Sequence, residues 1–263
     1  MSLIVHELCV SIGGRQVVSG VSFEVSDGER VGIIGESGSG KSLTALAILG
    51  LLPAEAEVGG SILFNGRELV GCSDRELAAI RGDQIGIVFQ EPQTALSPLI
   101  RLGKQMTESL RIHYTLSRTQ AKDAAVELAR RVGLPDPESI VRSYPHEVSG
   151  GQRQRAAIAA AIAAGPELLI ADEPTTALDV TVQKGVLELF RELSDETGSS
   201  LVFITHDLAV LKQIADRMIV LDDGAVVESG TVDAVLSNPQ HPSTRALVAA
   251  ALATSWRRPA VGE

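Results

Sequence analysis

The sequence predicts an α/β fold built on a parallel sheet, with a strand-rich N-terminal part and a helical insertion before the sheet resumes. Three observations carry that expectation. From Leu168 onward, apolar strands (168–171, 201–204, 218–221) alternate with helical patterns (180–196, 208–215), the order expected of parallel strands joined by helical crossovers. A strand-like run over 29–34 passes through a glycine-rich turn into an apolar helix over 43–52. From about Gln90 to Ala164 the apolar residues take helical spacing instead.

The elements follow in chain order. Runs 3–11, 17–25, 30–34 and 61–64 are rich in β-branched residues, and Gly13-Gly14, Asp27-Gly28 and Asn65-Gly66 supply turns between them. Ile87-Val88-Phe89 leads as a strand into Gln90, followed by a Pro-punctuated loop to Pro98 and an amphipathic stretch over 99–116. Ser117-Arg118-Thr119-Gln120 has the form of a capping box, with Ala121, Ala124, Ala125, Leu128 and Val132 on one face and Gly133 and Pro135 as stops. A helix is expected over 153–164, and Asp222-Asp223-Gly224 turns the last strand into another over 225–228. From about Ser255 to Glu263 a loose tail is expected.

The chain has 263 residues, enough to bury a substantial core. Its formal charge of −10 argues against a nucleic-acid or anionic-lipid partner held by nonspecific attraction. Cys9 and Cys72, far apart in sequence, indicate neither a disulfide framework nor a thiolate metal site. The N-terminus lacks the basic and apolar regions of a signal peptide, and the most apolar run, 156–164, is too short to span a bilayer.

Gly35-Glu36-Ser37-Gly38-Ser39-Gly40-Lys41-Ser42 fits the phosphate-loop pattern in its required strand–turn–helix context. Glycines let consecutive N–H groups turn toward a phosphate, and the helix N-terminus adds a favourable field. Lys41 is expected to reach the β- and γ-phosphates, and Ser42 to ligate Mg²⁺. In Leu168-Leu169-Ile170-Ala171-Asp172-Glu173 an apolar strand carries two acids to its C-terminal end, where ligands of open α/β sheets gather. Alone, these acids also read as caps of the next helix. Ser149-Gly150-Gly151-Gln152 reads by itself as a capped helix start.

In this order the three stretches resemble the nucleotide-binding subunit of an ABC transporter. The resemblance covers nearly the whole chain and implies a P-loop NTPase: a RecA-like core, an N-terminal antiparallel β subdomain and an inserted α-helical subdomain at about 91–164, within one domain over 1–254. It implies ATP and Mg²⁺ as cofactors. It assigns Asp172 to the metal, Glu173 to the attacking water as general base, and His206 to the γ-phosphate. Gln90 touches the metal and links the site to the helical lobe; Ser149, Gly150, Gly151 and Gln152 meet the γ-phosphate of a second subunit's ATP, and Asp179 senses the opposite site. Where the family places an aromatic ring against adenine this chain has Ile12, leaving apolar contact from Ile12 and Val17.

Three further stretches, 90–98, 144–147 and 241–247, resemble the ATPases of oligopeptide, dipeptide and nickel importers. That narrower likeness implies two transmembrane permeases, a second ATP-binding subunit, an extracytoplasmic solute-binding protein acting indirectly, and a place at the cytoplasmic face of the membrane. Longer relatives carry a cysteine-rich extension, so no iron–sulfur cluster is expected here. Leu96, Leu99 and Ile100 are expected on the surface that receives a permease segment. A soluble ABC-type ATPase is the alternative; a phosphate-loop kinase or GTPase leaves Ser149–Gln152 and His206 unexplained.

Overall fold

The computed structural model describes residues 2–90, 95–176 and 178–255, so the expectations for Glu91 to Thr94 and for the tail beyond Ser255 fall outside the described residues. The chain divides into two compact units, one formed by Leu3–Val70 with the stretch from Val202 onward, the other by Gly71–Leu201.

The first unit contains an antiparallel sheet of β1 (Leu3–Ile12), β2 (Arg15–Val25), β4 (Ala56–Phe64) and β5 (Arg67–Glu68), in the order β2-β1-β4-β5. The sequence patterns locate β1 and β2 closely, but β4 starts five residues before its β-branched core. Its first half, Ala56 to Gly60, is exposed or half-buried and glycine-containing, so it carries no apolar alternation; pairing with β1, across a register shift between His6 and Cys9, makes it a strand. Beside this sheet in the chain order come β3 (Arg30–Ile34), β8 (Ser200–Thr205), β9 (Arg217–Asp222) and β10 (Ala225–Thr231), arranged β10-β9-β3-β8. β3 and β9 run parallel, with Ile34 opposite Val220.

Helix α1 (Lys41–Leu49) follows β3. The unit's core gathers Ile34, Met218 and Val220 from the strands with Leu208 and Leu211 from the helix after β8. Val232 and Val235 join from Val232–Ser237, and Leu247 and Val248 pack against the cluster from Pro242–Ser255, a helix that the alternation of strands and helices does not announce.

The second unit begins with α2 (Asp74–Ala78) and β6 (Ile85–Val88). The stretch over 99–116 is not one helix but two, α3 (Leu102–Met106) and α4 (Glu108–His113). Thr107 separates them, its hydroxyl donating back to the Gly103 carbonyl at 2.9 Å, a bond that competes with helix continuation. Then come α5 (Arg118–Arg131), with the expected capping box at Ser117 and Gln120, α6 (Pro137–Ile140), α7 (Gly150–Ile162), β7 (Leu168–Asp172) and α8 (Val180–Thr197). β6 and β7 are parallel, Val88 opposite Ala171. The last helices of the first unit are α9 (Leu208–Ile214), α10 (Val232–Ser237) and α11 (Pro242–Ser255).

Glu29 and Arg217 fix the entrance to β3. The Arg217 Nε donates to Glu29 Oε1 at 2.8 Å, and the Ser26 N–H donates to Oε2 at 2.8 Å. Partial burial raises the carboxyl's pKa, but the Arg217 hydrogen bond, the Ser26 N–H and the guanidinium charge outweigh it and hold Glu29 below its ordinary 4.5. A depressed folded-state value means stabilisation that is present above about pH 4.5 and lost as pH falls through the folded value. Glu29→Gln should therefore cost on the order of 1 kcal/mol at pH 7. Thermal melts should show the gap from wild type closing as the pH is lowered toward 3, the region of carboxylate protonation; a gap that stays constant with pH excludes the ion pair as its source.

Candidate nucleotide site

β3 is buried from Val31 to Ile34 and delivers the chain to the loop at a point where no side chain fits. A Cβ on Gly35 would lie 2.2 Å from the Leu221 carbonyl oxygen and 2.5 Å from Ser39 Oγ. At the other end Gly40 has φ +94, a left-handed conformation that favours glycine, and enters α1 with no side-chain cap. Gly40 offers no side chain to cap the first turn of α1, which suits an anion site at a helix N-terminus.

Lys41 is only 5% exposed, and its ammonium donates to the carbonyls of Gly35 at 2.9 Å and Glu36 at 2.7 Å. The cation is thereby folded back over the loop it closes. Ser39 Oγ is buried with no hydrogen-bond partner among the described residues. A buried orphan hydroxyl two residues from a buried ammonium, in a loop whose Gly35 position admits no side chain, fits a phosphate-bearing ligand such as ATP. Glu36, Ser37 and Gly38 form the exposed outer arc, and Ser42 is half-buried in the first turn of α1.

The same unit carries the adenine candidates and the histidine. Val17 approaches the loop through its backbone: a Cβ on Gly40 would lie 3.1 Å from the Val17 carbonyl oxygen. Ile12 closes β1 at the Gly13-Gly14 turn, half-buried and paired with Arg15 and Ala56. His206 is exposed directly after the wholly buried β8, and Asp207 caps α9 by accepting from the N–H groups of Ala209 at 2.7 Å and Val210 at 3.3 Å.

In the second unit, the parallel register of β6 and β7 brings Gln90 and Glu173 together at the carboxyl ends of neighbouring strands. The Gln90 side-chain amide donates to Glu173 Oε2 at 3.2 Å, a direct link that the separate sequence motifs do not reveal. Thr176 Oγ1 donates to the same oxygen at 2.9 Å. Glu173 itself has φ +44, rare for a residue with a side chain and a recurrent sign of strain at functional sites. Asp172, at the end of the fully buried β7, is 7% exposed. Within this unit Asp172 and Gln90 carry oxygen donors, a carboxylate and an amide, of the hard type that Mg²⁺ takes.

Ser149 caps α7. Its Oγ accepts from the Gln152 N–H at 3.3 Å, while the Ser149 N–H donates to Gln152 Oε1 at 2.9 Å. The capped-helix reading of this stretch is therefore correct as geometry. It is compatible with phosphate binding, because a hydroxyl that accepts one bond keeps its hydrogen to donate. Gly150 is exposed, and a Cβ there would meet nothing within 4 Å. Asp179 likewise has a local task, accepting from the Thr181 N–H at 3.1 Å and the Val182 N–H at 3.0 Å at the start of α8.

Comparison with known proteins agrees with this geometry. Residues 18–176 match the family described as "ABC transporter". The oligopeptide transport ATP-binding protein OppD of Bacillus subtilis is 49% identical over 253 residues, 94% of this chain and 71% of that protein. The dipeptide transport ATP-binding protein DppD of Lactococcus lactis is 47% identical over 238 residues, 90% of this chain and 68% of that protein. Among solved structures, the ATP-binding cassette MJ0796, a dimer in a post-hydrolysis state bound to ADP and Pi, superposes with a TM-score of 0.78 at 30% identity, covering 88% of this chain and 98% of that one. CbiO1 from Clostridium perfringens, part of the transporter complex cbiONQ, gives 0.77 at 27% identity over 90% of each chain. With a phosphate loop of this geometry and a family match over more than half its length, the chain belongs to the ABC transporter family of ATPases.

Proposed function

We propose that this ATPase powers peptide uptake, as the nucleotide-binding subunit of an importer whose channel is formed by two permeases. The observation that carries the reading is the identity of nearly half over almost the full chain with an oligopeptide transport ATP-binding protein. The named relatives favour peptide over nickel as cargo. In this reading residues 1–254 act as one nucleotide-binding domain. No helix among the described residues is long and apolar enough to cross a membrane, so attachment to the cytoplasmic face comes through the permeases.

Lys41, the loop N–H groups and Ser39 bind the phosphates, with Ile12 and Val17 supplying apolar contact to the base. Ser42, Asp172 and Gln90 hold Mg²⁺, which when bound offsets charge on the phosphates. Glu173 accepts a proton from the attacking water, and His206 contacts the γ-phosphate. Ser149 to Gln152 meet the ATP of a second subunit. Gly150 supports that role, since its open surroundings give no reason within the chain for a missing side chain.

For the permease surface, the structure divides the three apolar residues singled out in the sequence. Leu96 is 4% exposed and belongs to the core of its unit, which corrects its assignment to a docking surface. Leu99 is 85% exposed and Ile100 half-buried. In the same unit Arg101, Lys104, Arg111, Arg118, Lys122 and Arg142 surround a cleft of about 550 Å³. None of the six forms an ion pair among the described residues, in a chain of net charge −10. An exposed leucine two residues from Arg101, in a unit whose cleft is lined by cations without carboxylate partners among the described residues, suits a docking segment that carries both apolar and acidic groups.

Lys41→Ala should weaken ATP binding at least about tenfold by calorimetry, because it removes a charge-assisted phosphate contact. Unchanged affinity would count against the loop's role. Glu173→Gln should still bind ATP but turn over at least about a hundredfold more slowly, the scale of lost base catalysis; near-normal turnover removes Glu173 from that role. Leu99→Glu should give a folded subunit with normal ATP binding that no longer co-purifies with its permeases. Retained co-purification would place docking elsewhere.

A further inference from the structure

Glu173 is held by Thr176 at both its main chain and its side chain. The Thr176 N–H donates to the Glu173 carbonyl at 3.2 Å, and Thr176 Oγ1 donates to Glu173 Oε2 at 2.9 Å. Gln90 donates to that same oxygen from a different element, at 3.2 Å. The two donors are not equivalent. Thr176 sits three residues along, at the far end of the turn that Glu173 opens, so donor and acceptor belong to one short hydrogen-bonded segment. Gln90 lies two residues beyond the end of β6, 83 residues away in the chain, so its bond depends on how β6 and β7 pair.

We infer that Thr176 is a positioning residue for the Glu173 carboxylate, setting its rotation through Oε2 whether or not Gln90 is engaged. The inference rests on the reading of Glu173 as general base. Its physical basis is the torsion of a carboxylate at the end of a glutamate side chain, which is broad and roughly two-fold and lacks the sharp wells of a saturated bond. A donor on one oxygen therefore decides where the other oxygen points. Proton abstraction requires a heavy-atom separation of about 2.6–3.2 Å from the water. Small misplacements of a reacting group cost rate out of proportion to their size. Thr176 is exposed, so its hydroxyl serves no buried network that would account for the bond on stability grounds alone.

The test compares Thr176→Val, which keeps the shape and removes the donor, with Thr176→Ser, which keeps the donor and removes the methyl. Both are measured in the full chain and in the assembled transporter, with Glu173→Gln as reference. Thr176→Val should lower kcat by about tenfold with KM for ATP within about twofold of wild type, as expected for an interaction needed in the transition state and not in binding. Its thermal midpoint should be unchanged. Its ATP-bound dimer, followed by light scattering after a single addition of ATP, should persist about tenfold longer in proportion to the slower turnover. Thr176→Ser should restore both readouts.

A Thr176→Val enzyme turning over at the wild-type rate overturns the inference, as does a Thr176→Ser enzyme as slow as the valine variant, which would assign the effect to the methyl group. Should the valine variant melt abnormally, Thr176→Ala takes its place in the same comparison. Normal turnover by Glu173→Gln defeats the underlying reading of the base. A dead Glu173→Gln with an unaffected Thr176→Val defeats only the role of Thr176.

Discussion

A buried ammonium group organises the first unit. Lys41 lies at the first position of α1, 5% exposed, and meets the carbonyls of the loop that precedes it. An isolated cation in such surroundings is costly, and carbonyl dipoles compensate it only in part. The loop geometry follows from the need to surround that charge with main chain. Gly35 lets β3 pass within contact of the Leu221 carbonyl, and Gly40 turns the chain left-handed into α1. A phosphate brought to the same place adds a charge-assisted contact to these carbonyl bonds. The buried hydroxyl of Ser39, unpaired among the described residues, is a further donor open to such a ligand.

In the second unit the organising constraint is strand register. Parallel pairing of β6 with β7 sets Val88 opposite Ala171, and two residues further on, just past both strand ends, Gln90 and Glu173 meet. Parallel strands end on the same side, so acids and amides at their carboxyl ends converge without any contact in sequence. The left-handed turn at Glu173 bends the chain away immediately after Asp172. Adjacent acids thus acquire different surroundings, Asp172 buried at the strand end and Glu173 half-exposed with two side-chain donors.

Much of this was legible in the sequence, because the signals were local. The phosphate loop needs a strand, a fixed glycine spacing and a helix, and all three lie within about twenty residues of one another. The caps at Ser117 and Ser149 are likewise readable from a serine followed three residues later by glutamine. What the sequence hid was tertiary. The first half of β4 is a strand only through its pairing with β1, and the helix break at Thr107 depends on a hydroxyl turning back to Gly103. Leu96 and Leu99 are three residues apart with the same side chain, yet one is buried and the other exposed. The Gln90–Glu173 bond spans 83 residues, and no pattern in either motif announces it.

The paired glycines at the start of α7 separate what the fold requires from what it does not. A Cβ on Gly151 would lie 2.8 Å from Val182 Cγ1, so close packing against α8 accounts for that glycine. Gly150, one residue earlier, faces open space with an ordinary helical backbone, where alanine would favour the helix. The fold thus explains the second glycine and not the first, and a surface kept bare toward solvent is one suited to close approach by another molecule. The close approach at Gly151 also brings α7 against the first turn of α8. Val182, against which it packs, donates its N–H to Asp179, so the start of α7 and the cap of α8 meet at one residue.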